Sequence, residues 1–140
     1  MSVYQPTVSW HLQRGVEFDQ EHFNRDHEWT FPGGEVVAAS SSPGYGGSMQ
    51  RVNPEEAVIA ATASCHMLTF LSIVAKAGNK VLSYIDRPEG SVEEDAGGVR
   101  AITRIVLRPK VVFEEDVDAE ALKSFHASAH RHCFVSNSLK

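Results

Sequence analysis

The feature that most constrains this chain is a long apolar segment, NPEEAVIAATASCHMLTFLSIVAKAG, which runs from Asn53 to Gly78. Asn53 is a favourable N-cap, the Pro-Glu-Glu that follows suits the first turn of a helix, and Gly78 suits the position just beyond a helix end. No charged side chain occurs between Ala57 and Ala75, and apolar or small residues occupy every side of the predicted helix. The segment therefore predicts one long helix that is covered on all sides.

A membrane span is the alternative interpretation of this segment, because about 20 apolar residues can cross a bilayer. Polar side chains dilute the segment, however, and no other part of the chain is comparably apolar. These polar residues are Thr62, Ser64, His66, Thr69 and Ser72. We therefore expect the central helix of a soluble protein and no membrane partner.

Length and charge narrow the remaining possibilities. A chain of 140 residues suits a single domain, 1–140, with a substantial core. The net charge of −5 and the lack of a clustered basic stripe argue against a nucleic-acid partner. The N-terminal sequence has no basic region followed by an apolar run, so no secretory signal is predicted and the cytoplasm is the expected location.

The rest of the chain predicts an α+β fold. Asp118 is expected to cap a second helix that ends near Cys133, and a bend is expected near Pro109. Segments rich in β-forming residues predict strands at Thr7–Leu12, His27–Phe31, Val36–Ser40, Val81–Ile85 and Val99–Phe113. This order favours an antiparallel sheet with segregated helices. Since one small sheet covers only part of the central helix, a second copy of the chain is expected to cover the rest, in an intertwined homodimer.

The two cysteines are the chemical feature of the sequence. In a chain without a secretory signal, such a pair is more often catalytic, redox-active or metal-binding than a structural disulfide. Cys65 lies in the middle of the apolar helix, where an isolated cysteine is usually a small core residue. Cys133 lies at the end of the second predicted helix, which could place it across the first.

These two settings resemble a known family. NPEEAVIAATASC is similar to the helix motif of the organic hydroperoxide resistance and osmotically inducible protein C (OsmC/Ohr) family. AHRHCFVSNS resembles the family's second-cysteine motif, and both motifs occur in the family's order. Phe134 differs from the family's pattern, which often has a proline after the second cysteine, and predicts a different local backbone there.

The resemblance implies a thiol peroxidase that acts on organic hydroperoxides as an intertwined homodimer. Cys65 is then the peroxidatic cysteine and Cys133 the resolving cysteine, with no cofactor. An external dithiol, for which a lipoylated protein is one candidate, is the expected reductant. Met67, Phe70 and Phe134 could line a pocket that favours alkyl peroxides.

Two charged residues complete the implied site. Arg25 and Glu55 match the family's arginine near an early strand and its glutamate at the start of the cysteine helix. A thiolate far from a helix N-terminus needs a nearby cation, and arginine cannot lose its charge. Glu55 could hold the guanidinium in a bidentate pose. Without the resemblance, Arg14 and Arg51 remain alternative cations.

Two other functions are compatible with the sequence. His126, His130 and Cys133 share one face of the second predicted helix, and Cys65 could complete a tetrahedral zinc site. The other is a family member that has lost catalysis and binds an apolar ligand between its helices.

Overall fold

The computed structural model describes every residue, Met1–Lys140, and the chain divides into two compact units, Met1–Ala57 and Val58–Lys140. Its elements are small antiparallel sheets and three α-helices, which confirms the predicted α+β class.

The first unit contains a three-stranded antiparallel sheet in the order β1-β2-β3. Its strands are β1 (Thr7–Ser9), β2 (His27–Thr30) and β3 (Val36–Ala39). The predicted hairpin is confirmed, and its turn closes through Gly34, whose φ of 96° is in the region that favours glycine.

The strand predicted over Thr7–Leu12 is shorter than expected, because Asn24 draws the chain into a loop. The Asn24 carbonyl accepts from the Trp10 indole at 2.7 Å, and its side-chain oxygen accepts from the Gln13 N–H at 2.8 Å.

Helix α1 (Pro54–Lys76) confirms the predicted long helix. Its start is a reciprocal capping box, in which the Asn53 side chain accepts from the Glu56 N–H at 2.9 Å and Glu56 accepts from the Asn53 N–H at 3.2 Å. Its end is marked by Gly78, whose φ of 85° lets the following Asn79 N–H donate to the Val74 carbonyl at 3.2 Å. Both ends were predictable because the signals lie in the terminal residues themselves.

Cover of α1 is incomplete within one chain. Phe70 and Val74 are fully buried, whereas Ser64 and Ser72 are exposed and Leu68 is 61% exposed. One chain alone therefore leaves part of α1 uncovered, as the sequence predicts, and cover on every side requires a partner. By length and composition α1 could cross a bilayer, but core helices of soluble proteins satisfy the same criterion, and α1 supplies the core with two of its fully buried side chains.

The second unit contains two two-stranded antiparallel sheets. Their strands are β4 (Val81–Asp86) with β7 (Pro109–Phe113), and β5 (Glu89–Glu94) with β6 (Arg100–Val106). The strand predicted over Val99–Phe113, with an interruption near Pro109, is two strands, separated at Leu107 and Arg108. Strand β5 was not predicted. At the break, the Asp86 side chain accepts from the Arg108 N–H at 2.8 Å.

Helix α2 (Ala119–His132) is capped by Asp118, whose side chain accepts from the Ala121 N–H at 2.8 Å, as the sequence predicts. A short helix, α3 (Phe134–Ser138), follows directly and was not predicted. The core of this unit is centred on Phe70, Val74 and Ala129. Partly buried side chains from β4, β7 and α2 pack around them.

Candidate active site

Two elements of the second unit bring the cysteines together. Cys65 lies in the middle of α1 and is partly exposed, whereas Cys133 is fully buried. Cys133 ends α2 and caps α3, with an extended backbone (φ −76°, ψ 112°) that turns the chain between the two helices. Its Sγ accepts a hydrogen bond from the Ser136 N–H at 3.4 Å. Each thiol is close enough to the other to displace its pKa.

The pKa of the Cys65 thiol is lowered, although burial, the largest single influence, acts to raise it. Hydrogen bonds to the sulfur outweigh burial, because each favours the thiolate. In decreasing order of effect, the groups that lower this pKa are the Cys133 side chain, the Val135 and Phe134 backbone groups and the Thr69 side chain. The Thr69 hydroxyl donates to the Cys65 carbonyl at 2.9 Å. Two of the groups that lower the pKa are backbone groups at the start of α3.

The pKa of Cys133 moves in the opposite direction. Burial raises it most, and the hydrogen bond to Cys65 raises it further. The Ser136 N–H only partly offsets these effects. Cys65 is therefore the thiol that ionises first, and Cys133 donates its proton toward it.

A pair of hydrogen-bonded histidines lies beside the core. His66 Nε2 and His126 Nδ1 are 3.0 Å apart, and the rings lie edge to edge, with their planes at 6° and their centroids 5.3 Å apart. Phe70 stacks on a face of His126, with centroids 4.3 Å apart. Burial lowers the pKa of both histidines, while the Asp86 carboxylate acts to raise them. One neutral ring therefore donates to the other.

The predicted zinc ligands are not assembled. His126 is turned toward His66, and His130 lies 3.4 Å from the Ser136 hydroxyl. No three histidine, cysteine or acidic side chains lie close enough to share a metal ion.

Arg25 is held within the first unit. Its guanidinium donates to the Phe23 carbonyl at 2.5 Å and to the Gln20 carbonyl at 2.8 Å, and lies 3.5 Å from the Phe23 ring centroid. Such stacking suits the planar guanidinium. The side chain lines a cavity of about 490 Å³ in this unit.

Glu55 lies in the first turn of α1, and no ion pair joins it to Arg25 within this chain. Of the alternative cations, Arg51 is engaged elsewhere in the first unit. It forms an ion pair with Asp26 at 3.4 Å and donates to the His27 carbonyl at 3.1 Å.

A second cavity, of about 580 Å³, lies beside Cys133 in the second unit. Its apolar lining includes Val58, Ile102, Ile105 and Leu107. His66 and His130 add polar groups. The lining residues expected from the sequence are not among those of this cavity, because Phe70 is fully buried in the core and Phe134 is 84% exposed.

The donors at the start of α3 are the part of the site that sequence reasoning missed. Cys65 lies far from the N-terminus of its own helix, but backbone groups at the start of α3 also lower its pKa. The Phe134 and Val135 N–H groups come from a helix whose N-cap is a cysteine. Cysteine is not among the preferred N-cap residues, so the local sequence does not predict this helix.

The chain is similar in sequence and in fold to known proteins. The family of OsmC-like proteins matches residues 46–140. An OsmC-like protein of unknown function from Vibrio cholerae has 38% sequence identity and a TM-score of 0.94, over 100% of this chain and 95% of that one. The uncharacterized protein YmaD of Bacillus subtilis is 25% identical over 121 residues, which are 84% of this chain and 80% of YmaD.

An organic hydroperoxide resistance protein from Elizabethkingia anophelis has a TM-score of 0.71, over 98% of this chain and 89% of that one. Its identity is only 16%, so the similarity concerns the fold.

Proposed function

Because the chain belongs to the family of OsmC-like proteins, we propose that it is a cysteine-based peroxidase that reduces organic hydroperoxides. The observation that carries the proposal is the neighbouring pair of Cys65 and Cys133, whose pKa values are displaced in opposite directions. A peroxidase of this kind needs one thiol that ionises readily and a second thiol close by. Structural neighbours described as organic hydroperoxide resistance proteins support the choice of substrate class.

The proposed reaction has three steps. The Cys65 thiolate attacks the terminal peroxide oxygen, the O–O bond breaks, and the alkoxide takes a proton to leave as an alcohol. Cys65 is then a sulfenic acid. The Cys133 sulfur attacks the Cys65 sulfur, its proton leaves with the hydroxyl as water, and a disulfide forms. An external dithiol, for which a lipoylated protein is one candidate, reduces the disulfide and becomes oxidised itself.

Arg25 and Glu55 are proposed to serve this reaction as the family resemblance implies. Arg25 would supply a permanent positive charge for the thiolate and the peroxide oxygens, and Glu55 would hold the guanidinium in place. The cavity of about 580 Å³ beside Cys133 is the proposed location of the alkyl part of the substrate, because much of its lining is apolar.

A homodimer is proposed as the functional form, and the cytoplasm as its location. The exposed face of α1 combines small side chains with Leu68, which is 61% exposed, so a second copy would bury apolar surface there. Sedimentation equilibrium tests the dimer: Leu68→Glu should yield monomers. Val92→Glu, on strand β5 at 46% exposure, is the matched control and should leave the wild-type mass unchanged. A monomeric wild type would contradict the proposal.

Peroxide consumption tests the function itself. With dithiothreitol as reductant, the wild type should consume tert-butyl hydroperoxide faster than hydrogen peroxide, and Cys65→Ser should be inactive. Cys133→Ser should accumulate the sulfenic acid when the dithiol is omitted. Peroxide consumption by Cys65→Ser at the wild-type rate would refute the assignment, and inactivity of the wild type would favour a non-catalytic family member.

A further inference from the structure

The proposed disulfide step needs a group that accepts the proton of Cys133. Cys133 is fully buried, and burial in apolar surroundings keeps a thiol protonated. The sulfur attacks as a thiolate, so its proton has to leave before or during the attack. Because water does not contact the Cys133 side chain, a basic side chain beside it is the most direct carrier of this proton to the departing hydroxide.

His66 brings a buried imidazole to the same cavity as Cys133. Both residues line the cavity of about 580 Å³. His66 is only 7% exposed, and its Nε2 lies 3.0 Å from Nδ1 of His126. Since Nε2 is bound to His126, Nδ1 is the nitrogen of His66 that remains free to accept a proton.

The hydrogen bond between the two histidines suits a base at His66. When the Nε2–H group of His66 donates to His126 Nδ1, the Nδ1 atom of His66 has a free lone pair. A proton that arrives at this atom leaves the hydrogen bond intact, because His66 is still the donor. Phe70 stacks on the ring of His126, with centroids 4.3 Å apart, and holds the acceptor in place.

A buried carboxylate lies near enough to stabilise a positive charge on the pair. Asp86 Oδ1 accepts from the Arg108 N–H at 2.8 Å, whereas its Oδ2 is buried without a hydrogen-bond partner. The charge of Asp86 acts to raise the pKa of both histidines, while burial lowers each pKa below its usual value. His66 is therefore neutral at neutral pH, as a base has to be, and its protonated form has a compensating charge nearby.

We propose that His66 is the general base of the disulfide-forming step. As the Cys133 sulfur attacks, His66 Nδ1 takes the thiol proton, the S–O bond of the Cys65 sulfenic acid breaks, and the S–S bond forms. His66 then passes the proton to the departing hydroxide, which leaves as water. No external oxidant is needed, because Cys133 is oxidised as the sulfenic acid is reduced. The inference rests on the proposed function, since it concerns the second step of that reaction.

The groups around His66 set the pH dependence that the step should have. The titratable and charged side chains near it are His126 and His130 of α2, Asp86 of β4, and Arg104 and Lys140 in the cavity lining. Of these, only the histidines change charge between about pH 5 and pH 8. Because the pKa of His66 lies below its usual value, the rate should be constant near neutral pH and fall only below about pH 6.5.

A disulfide reagent measures this step without peroxide. In the reduced full-length chain, one equivalent of dithiodipyridine converts the more accessible Cys65 to a mixed disulfide and releases one thiopyridone. Attack by Cys133 then releases a second thiopyridone, so the absorbance shows two phases, and Cys133→Ser should show only the first. The rate of the second phase is measured from about pH 4 to pH 9, which spans the titration of histidine.

His66→Gln should slow the second phase, relative to the first, roughly 10- to 100-fold near pH 7. Without the base, the rate should rise about tenfold per pH unit as the Cys133 thiolate forms, with no plateau near neutral pH. His132→Gln, at an exposed histidine of α2 that does not line the cavity, is the matched control and should behave as the wild type does. A wild-type profile for His66→Gln, or loss of the plateau in His130→Gln instead, would overturn the inference.

A second variant decides the case in which His66→Gln disturbs the packing, seen as a change in its circular dichroism. Asp86→Asn keeps the side-chain oxygen that accepts from Arg108 and removes the charge that favours protonation of His66. Its second phase should keep the plateau, and the fall in rate should move to lower pH. A fall at the wild-type pH would overturn the inference.

The assay requires no peroxide, so the two proposals fail separately. A wild type that does not consume peroxide, combined with a second phase that depends on His66, would remove the proposed function and leave the role of His66 intact. Normal peroxidase activity with a second phase that does not depend on His66 would do the reverse.

Discussion

Acid should destabilise the fold through the hydrogen-bonded pair of His66 and His126. Their facing nitrogens are 3.0 Å apart, which suits one donor and one acceptor. Burial is the main cause of the lowered pKa of both side chains. For His66, the charge of His130 also lowers the pKa, and for His126 the charge of His66 does so. A second proton on the pair would place two donors face to face.

The sign of the effect follows from proton linkage. In the unfolded chain each histidine takes up a proton near pH 6.5, whereas the folded pair does so only at lower pH. The stabilisation is therefore complete above about pH 6.5 and is lost as the pH falls toward the folded pKa values. If neither ring were protonated in the folded state, the free energy of unfolding would fall between about pH 7 and pH 5.5 by at most about 2.5 kcal/mol for the two histidines together. We expect roughly 1–2 kcal/mol, because the Asp86 carboxylate favours protonation of both rings.

Urea unfolding at the two pH values, at one protein concentration, measures this loss. Other groups titrate in the same range, so the informative quantity is the difference from a variant without the pair. The double variant His66→Gln/His126→Asn places neutral amide groups near the positions of the two facing nitrogens. On acidification, its free energy of unfolding should fall less than that of the wild type, and the difference should be about the expected amount. His132→Gln, at an exposed histidine of the same helix, is the matched control and should behave as the wild type does. A double variant that is as sensitive to acid as the wild type would refute the reasoning.

Three further predictions concern the core, a helix cap and the proposed cation. Phe70→Ala should lower the free energy of unfolding by about 3–5 kcal/mol, since the side chain is fully buried. Val92→Ala, at an exposed site, should change it by under about 0.5 kcal/mol. Urea unfolding measures both variants, and similar values would contradict the assigned core. Asp118→Ala should lower the free energy of unfolding by about 1 kcal/mol in the same assay. Asp118→Asn should lower it little, because asparagine also caps helices. No loss in the alanine variant would contradict the cap. Arg25→Ala should slow alkylation of Cys65 near neutral pH and Arg25→Lys should do so less, and an unchanged rate in the alanine variant would remove Arg25 from the site.

The fold was predictable where its signals are local. The capping box at Asn53 and the glycine at Gly78 mark the ends of α1, and Asp118 marks the start of α2. Strand β5 was not predictable because its sequence, EGSVEE, has only one strong β-former, Val92, and its extended form depends on pairing with β6.

Of the candidate site, the sequence predicted the proximity of the two cysteines and not the contribution of the backbone. The motifs around Cys65 and Cys133 identified both cysteines, and the structure brings their thiols together. The backbone groups of Phe134 and Val135, which lower the pKa of Cys65, belong to any residue, so no side-chain pattern predicts their effect. The hydrogen bond between His66 and His126 depends on how α1 packs against α2, which helical spacing within one element cannot give.

The most direct test of the central claim is the intact mass of the reduced protein before and after one equivalent of cumene hydroperoxide. The account predicts the loss of two hydrogens, a peptide map that joins Cys65 to Cys133, and one added oxygen on Cys65 in the Cys133→Ser variant. An unchanged mass for the wild type, or an oxygen added to it with no disulfide between the two cysteines, would contradict the account.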